Sequence, residues 1–145
     1  MKRIAPALFL LLALAVPALA LMPPQVYAER SEQAKIKAIA VIVEVATDEA
    51  AGSSVATFRS EYRLTPDAPE TFTGTCRSAR TEAERGMVGP TVYFHPQKGD
   101  RVFVTVSEDG GAITSLTPVT PELEKAVRET PGKIRYGVSE AYVGE

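Results

Sequence analysis

The chain has 145 residues, with 16 Lys and Arg, 18 Asp and Glu and one His, so its formal net charge is -2, and 45% of its residues are hydrophobic. A chain of this length ordinarily forms one domain, and an apolar content near the globular average excludes disorder along its whole length. The balanced charge excludes nucleic-acid binding driven by a bulk basic excess.

Met1-Lys2-Arg3 precedes an apolar run from Ile4 to Leu21, broken only by Pro6 and Pro17, which contains the small-x-small triplet Ala18-Leu19-Ala20. A basic start, an apolar middle and an A-x-A end mark a secretory signal peptide. Cleavage is expected after Ala20, leaving 21–145 as a single exported domain, periplasmic or extracellular. A second triplet, Val26-Tyr27-Ala28, follows Pro23 and Pro24, where the apolar run has already ended. The alternative is an uncleaved anchor, because Ile4 to Leu21 just reaches the length that spans a bilayer. After cleavage no stable membrane span is expected. Loss of Lys2 and Arg3 leaves 14 basic against 18 acidic residues, a net charge of -4, which favours neither nucleic acid nor an anionic membrane surface. Cys76 is alone, so there is no disulfide scaffold; it is either a small buried hydrophobe or a free thiol able to pair with another chain.

Pro24 to Ala34 reads as a short helix, begun by prolines that suit a first turn and turning Val26, Tyr27 and Ala34 towards the body. Lys35 to Val45 is crowded with β-branched residues and reads as a central strand, with Ile39, Val41, Val43 and Val45 on one face and Ala38, Ala40 and Ile42 on the other. After a loop from Asp48 to Ser53 containing Gly52, Ser54 to Leu64 alternates, with Phe58, Tyr62 and Leu64 opposite Arg59, Glu61 and Arg63. Pro66 and Pro69 end this strand. Glu70 to Arg77 is a third strand in which Phe72, Gly74 and Cys76 share a face, and Gly74 signals a bulge or a close backbone approach.

Ser78 to Gly86 is a polar loop or helical turn, and Thr91 to His95 a short strand. Pro96 to Asp100 turns the chain into Arg101 to Val106, where Val102, Val104 and Val106 alternate. Glu108-Asp109-Gly110-Gly111 is a hairpin turn leading into Ala112 to Thr117. Thr120, Pro121 and Glu122 are an N-cap, a first-turn proline and an acid at the positive helix end. The helix they start runs through Arg128, buries Leu123, Ala126 and Val127, and is closed by Pro131-Gly132. In the tail, Lys133 to Val143, the alternation of Ile134, Tyr136 and Val138 fits a last strand or an ordered arm.

Five or six short strands with a short N-terminal and a short C-terminal helix make a mainly β fold, a small antiparallel barrel or a β-sandwich. The long first strand, the second that pairs with it, the third near Cys76 and the Lys98-Gly99-Asp100-Arg101-Val102-Phe103-Val104 start of the closing hairpin resemble an OB-like barrel over residues 35–117. That resemblance implies a binding face across the middle strands, suited to oligonucleotides, oligosaccharides or proteins.

Few residues invite chemistry. Cys76 and His95 are the only Cys and His, and a thiol with an imidazole base is a known catalytic pairing, yet no nucleophile signature surrounds the thiol. One Cys and one His cannot close a zinc site, and Glu108-Asp109-Gly110-Gly111 lacks the spacing of a calcium loop. No G-x-x-x-x-G-K-[ST] or G-x-G-x-x-G loop is present for a nucleotide. No metal and no cofactor are therefore expected. Arg59, Arg63, Arg77, Arg80 and Arg85 form the one basic concentration, and with Tyr62 and Tyr93 they make a patch for an acidic or sugar-like partner; the plainer alternative is a solvated face balanced by Glu61, Glu70, Glu82 and Glu84. The expected function is an exported, non-catalytic binding or accessory protein of the bacterial cell envelope, meeting a protein, peptide or envelope polymer. The competing reading is a small thiol-dependent enzyme using Cys76 and His95.

Overall fold

The computed structural model describes residues 23–78 and 92–145. The expected signal segment with its cleavage position, and the stretch 79–86 with Arg80 and Arg85, lie outside the described residues. In chain order the elements are α1 (Pro24–Glu32), β1 (Ile36–Asp48), β2 (Ser53–Arg63), β3 (Thr71–Arg77), β4 (Arg101–Val106), β5 (Ile113–Pro118), α2 (Pro121–Glu129), a 3-10 turn (Pro131–Lys133), β6 (Ile134–Tyr136) and β7 (Ala141–Val143). The fold is mainly β: one antiparallel five-stranded sheet ordered β3-β2-β1-β4-β5, a two-stranded sheet of β6 and β7, and two short helices.

β1 is central, as its two apolar faces require, and it pairs with β2 on one side and β4 on the other. Two bulges redistribute its side chains and those of β2. Ile39 faces Tyr62 while Ala40 faces Ser60, leaving Glu61 as the extra residue; Ile42 faces Phe58 while Glu44 faces Thr57, leaving Val43 as the extra residue. Each bulge reverses which face the following residues take, since side chains alternate with a period of two. The expected faces are corrected accordingly. Phe58 joins a first core cluster with Ile36, Ala38, Ala40 and Ile42, whereas Tyr62 and Leu64 pack on a second cluster with Ile39. Val45 returns to the first cluster, separated from Ile39, and Val41 and Val43 are only half-buried.

The first cluster fills the inside of a curled sheet. Phe58 and Phe72 stack there with centroids 5.1 Å apart, and Val102, Val104, Val106 and Ile113 close on them from β4 and β5. Burying each such side chain contributes roughly 1.5–3 kcal/mol. The second cluster lies on the other face, where Ile39 and Phe103 meet Leu123, Ala126 and Val127 of α2 and Ile134 and Ala141 of the tail hairpin. Thr120 caps α2 as expected, its hydroxyl accepting from the Leu123 amide at 3.2 Å.

The curl brings the two sheet edges together without a continuous ladder. The Thr75 amide donates to the Gly111 carbonyl at 2.8 Å, the Gly110 amide to the Thr73 carbonyl at 2.9 Å, and the Thr73 amide to Asp109 Oδ1 at 2.9 Å. Only one isolated parallel bridge, Thr75 with Ala112, links β3 to the hairpin, so the sheet is not closed into a barrel. The two-stranded sheet and α2 instead cover its second face, an arrangement that accommodates the sandwich alternative. The expected strand at Thr91 to His95 is also corrected: in the described part, 92–95, only Tyr93 forms a bridge, to Arg77, and Pro96 removes the next donor.

Candidate functional site

A cavity of about 690 Å³ opens between α1, β3 and the β4–β5 hairpin. Its walls follow from the local contacts of those elements. The segment between α1 and β1 is tied to the residue after β4 by the Lys35 amide, which donates to the Ser107 carbonyl at 3.2 Å. The hairpin tip is held on β3 by the three bonds already described. The segment after residue 91 is pinned by the Phe94 amide on the Arg77 carbonyl at 2.9 Å and by Ser78 Oγ on the Phe94 carbonyl at 3.1 Å. Ser78 Oγ is also 3.0 Å from Ser54 Oγ, which lies 3.1 Å from Thr47 Oγ1.

The lining is divided by chemistry. Ala34, Cys76, Val92, Phe94 and Ile113 supply apolar surface, with Val138 from the tail segment. Tyr27, Gln33, Ser53, Thr75, Ser107 and Thr114 supply neutral polar groups, and Ala112 adds a small residue at the hairpin end. Arg30, Lys35 and Arg77 are the charged lining residues among those described, and no acidic residue joins them there. All three are exposed. This combination of an apolar interior and a few polar groups is the usual composition of a small-molecule pocket.

Of the described residues expected to form one patch, the structure brings Arg77 and Tyr93 together and turns Tyr62 elsewhere. Arg77 lines the cavity, and Tyr93 lies beside it through their backbone bridge. Arg59 is exposed on β2. Arg63 donates to the Ala68 carbonyl at 3.2 Å. Tyr62 is turned to the second cluster by the bulge at Glu61 and is covered by Arg128, whose guanidinium carbon lies 4.7 Å from the ring centroid. Glu61, expected as a counter-charge for the patch, binds Arg101 at 2.7 Å instead.

Cys76 lines the cavity half-buried, and burial pushes its thiol pKa above the ordinary value, with a hydrogen bond to Ser78 opposing that shift. His95 is exposed and is not among the lining residues. The thiol's hydrogen-bonding neighbour is thus a serine, and its environment favours the protonated form over the nucleophilic thiolate. Among the described residues there is no group of three His, Cys, Asp or Glu side chains that could hold a metal ion, and no helix there is long and apolar enough to cross a membrane.

Sequence reasoning missed Lys35, Arg30, Phe94 and Ile113 as neighbours of Cys76 and Arg77. They come from separate stretches of the chain, and the pattern of one stretch carries no information about which others it meets. The sole legible signal was Gly74, read as a bulge or a close backbone approach, and it is a side chain that approaches. A Cβ there would lie 2.6 Å from Ile113 Cγ1, so the glycine lets the inner faces of β3 and β5 meet beside the cavity. No protein-family model matches the chain, and no curated protein or solved structure is significantly similar to it.

Proposed function

We propose that the chain is an exported, non-catalytic binding or accessory protein of the bacterial cell envelope, whose binding site is the cavity between α1, β3 and the β4–β5 hairpin. The observation that carries this reading is the lining itself: an apolar interior bordered by Arg30, Lys35 and Arg77. A partner protein, peptide or envelope polymer would insert an apolar group and set acidic groups against the rim. The OB-like likeness belongs to the same proposal. It is supported by the long β1 paired to both β2 and β4 and by the hairpin tip reaching β3.

The test is native mass spectrometry of the protein isolated from its exported compartment after mild cross-linking, alongside Ala112→Trp, which adds an indole to the cavity lining. A reproducible adduct on the wild type that Ala112→Trp loses is the expected result. An adduct retained equally by both would place binding elsewhere and overturn the reading. The thiol-enzyme alternative predicts a different behaviour. A catalytic Cys76 would react with iodoacetamide within minutes at pH 7 in the folded protein, whereas the raised pKa predicts slow labelling until urea unfolds the chain.

A further inference from the structure

We infer that the cavity accepts a free single-chain carboxylate amphiphile, its alkyl chain against Phe94, Ile113 and Val92 and its head group between Lys35 and Arg77. The inference rests on the cavity being the binding site. Its volume of about 690 Å³ falls in the range of pockets that enclose small organic ligands. The interior residues Ala34, Phe94 and Ile113 are buried and offer the alkyl chain only carbon surface.

The charges of the lining point the same way independently of the volume. The sequence as a whole is acidic, yet every charged lining residue described is basic. No ion pair engages the side chain of Lys35 or Arg77 among the described residues. By contrast, Arg101 and Arg128 on the opposite face are both satisfied by Glu124. Two exposed cations beside an apolar cavity complement one anionic head on an apolar tail. A guanidinium donates two parallel hydrogen bonds to the oxygens of a carboxylate, which also fixes the head group's orientation.

Calorimetric titration of the wild type with dodecanoate, below its micellar concentration, tests the assignment against dodecanol and decanoate. Dodecanoate is expected to bind, and decanoate more weakly by about fourfold for each methylene removed. Arg77→Gln and Lys35→Gln, both exposed substitutions, are each expected to weaken dodecanoate about tenfold, with dodecanol binding unaltered. Ala112→Trp should abolish both. Equal binding of dodecanoate and dodecanol, untouched by the two charge variants, would overturn the head-group assignment. Absence of dodecanoate binding would overturn the inference altogether. In either case the proposed function stands if the compartment-derived adduct is still lost in Ala112→Trp, and falls with it if that adduct is retained.

Discussion

Gly74 is where one missing methyl group decides a contact between strands. The Cβ of an alanine there would sit 2.6 Å from Ile113 Cγ1 and 3.3 Å from Val106 Cγ2, both in the packed interior. Ile113 is branched at Cβ and cannot swing its Cγ1 aside cheaply. Gly74→Ala should therefore lower stability by about 1–3 kcal/mol in urea unfolding. Combined with Ile113→Ala, which removes the obstructing atom, it should cost less than the sum of the two single changes by at least about 0.5 kcal/mol. Strict additivity would refute the contact. Ser31 makes the opposite case. Its hydroxyl, on α1, is fully buried and has no hydrogen-bond partner among the described residues, so Ser31→Ala is expected to be neutral or stabilising by about 1 kcal/mol. A clear fall in melting temperature would mean that the hydroxyl is satisfied in solution.

Between elements, α2 is docked by its apolar stripe and oriented by charge. Arg101 on β4 holds Glu124 through two bonds, 2.8 and 3.0 Å, while binding Glu61 on β2 at 2.7 Å, and Arg128 closes on Glu124 at 3.0 Å. Arg101 and Arg128 together hold the Glu124 carboxyl down at about 2, against an ordinary value of 4.5. A depressed carboxylate pKa contributes stability that is complete above the unfolded value and is lost as pH falls towards the folded one. Stability should accordingly decline between about pH 4.5 and about pH 2, and Glu124→Gln should flatten that part of the profile. The pairs are partly exposed, so the effect should shrink in high salt. An unchanged profile in Glu124→Gln would assign the acid sensitivity to other carboxylates. The tail hairpin is docked differently, by the Leu116 amide on the Ser139 carbonyl at 3.0 Å and the Ala141 amide on Thr117 Oγ1 at 2.8 Å.

For the whole molecule, the decisive feature is the meeting of the two sheet edges. The outer edge of β3 would otherwise offer unpaired amides to another chain, and the hairpin tip covers it through Asp109, Gly110 and Gly111. Removing one of these bonds should loosen the edge without disturbing the centre. Asp109→Ala is expected to cost about 1 kcal/mol and to speed hydrogen exchange at the Thr73 amide. The amides shared by β1 and β4 should keep their protection. If the whole sheet exchanged faster, the edge and the centre would unfold as one unit. The cavity lies against this junction, with Thr75 and Ala112 in its lining, so the contact that covers the edge also builds the site.

How much of this was legible follows from the range of the forces involved. β-Branched density marked β1, alternation marked β4, turn glycines placed the β1–β2 and β4–β5 connections, and Thr120-Pro121 placed the start of α2; each is a local preference expressed within a few neighbours. The faces of β1 and β2 were not legible beyond their bulges, because pairing register depends on both strands and one extra residue reverses the pattern. The sequence by itself determined a mainly β chain with short helices and the places of β1 to β5 and α2 along it. Tertiary structure alone decided that the sheet stays open, that Tyr62 leaves the arginine patch, and that Lys35 and Arg77 border one apolar cavity. Those outcomes rest on contacts between residues far apart in the chain, where burial and edge pairing in the assembled fold, rather than local propensity, choose the partners.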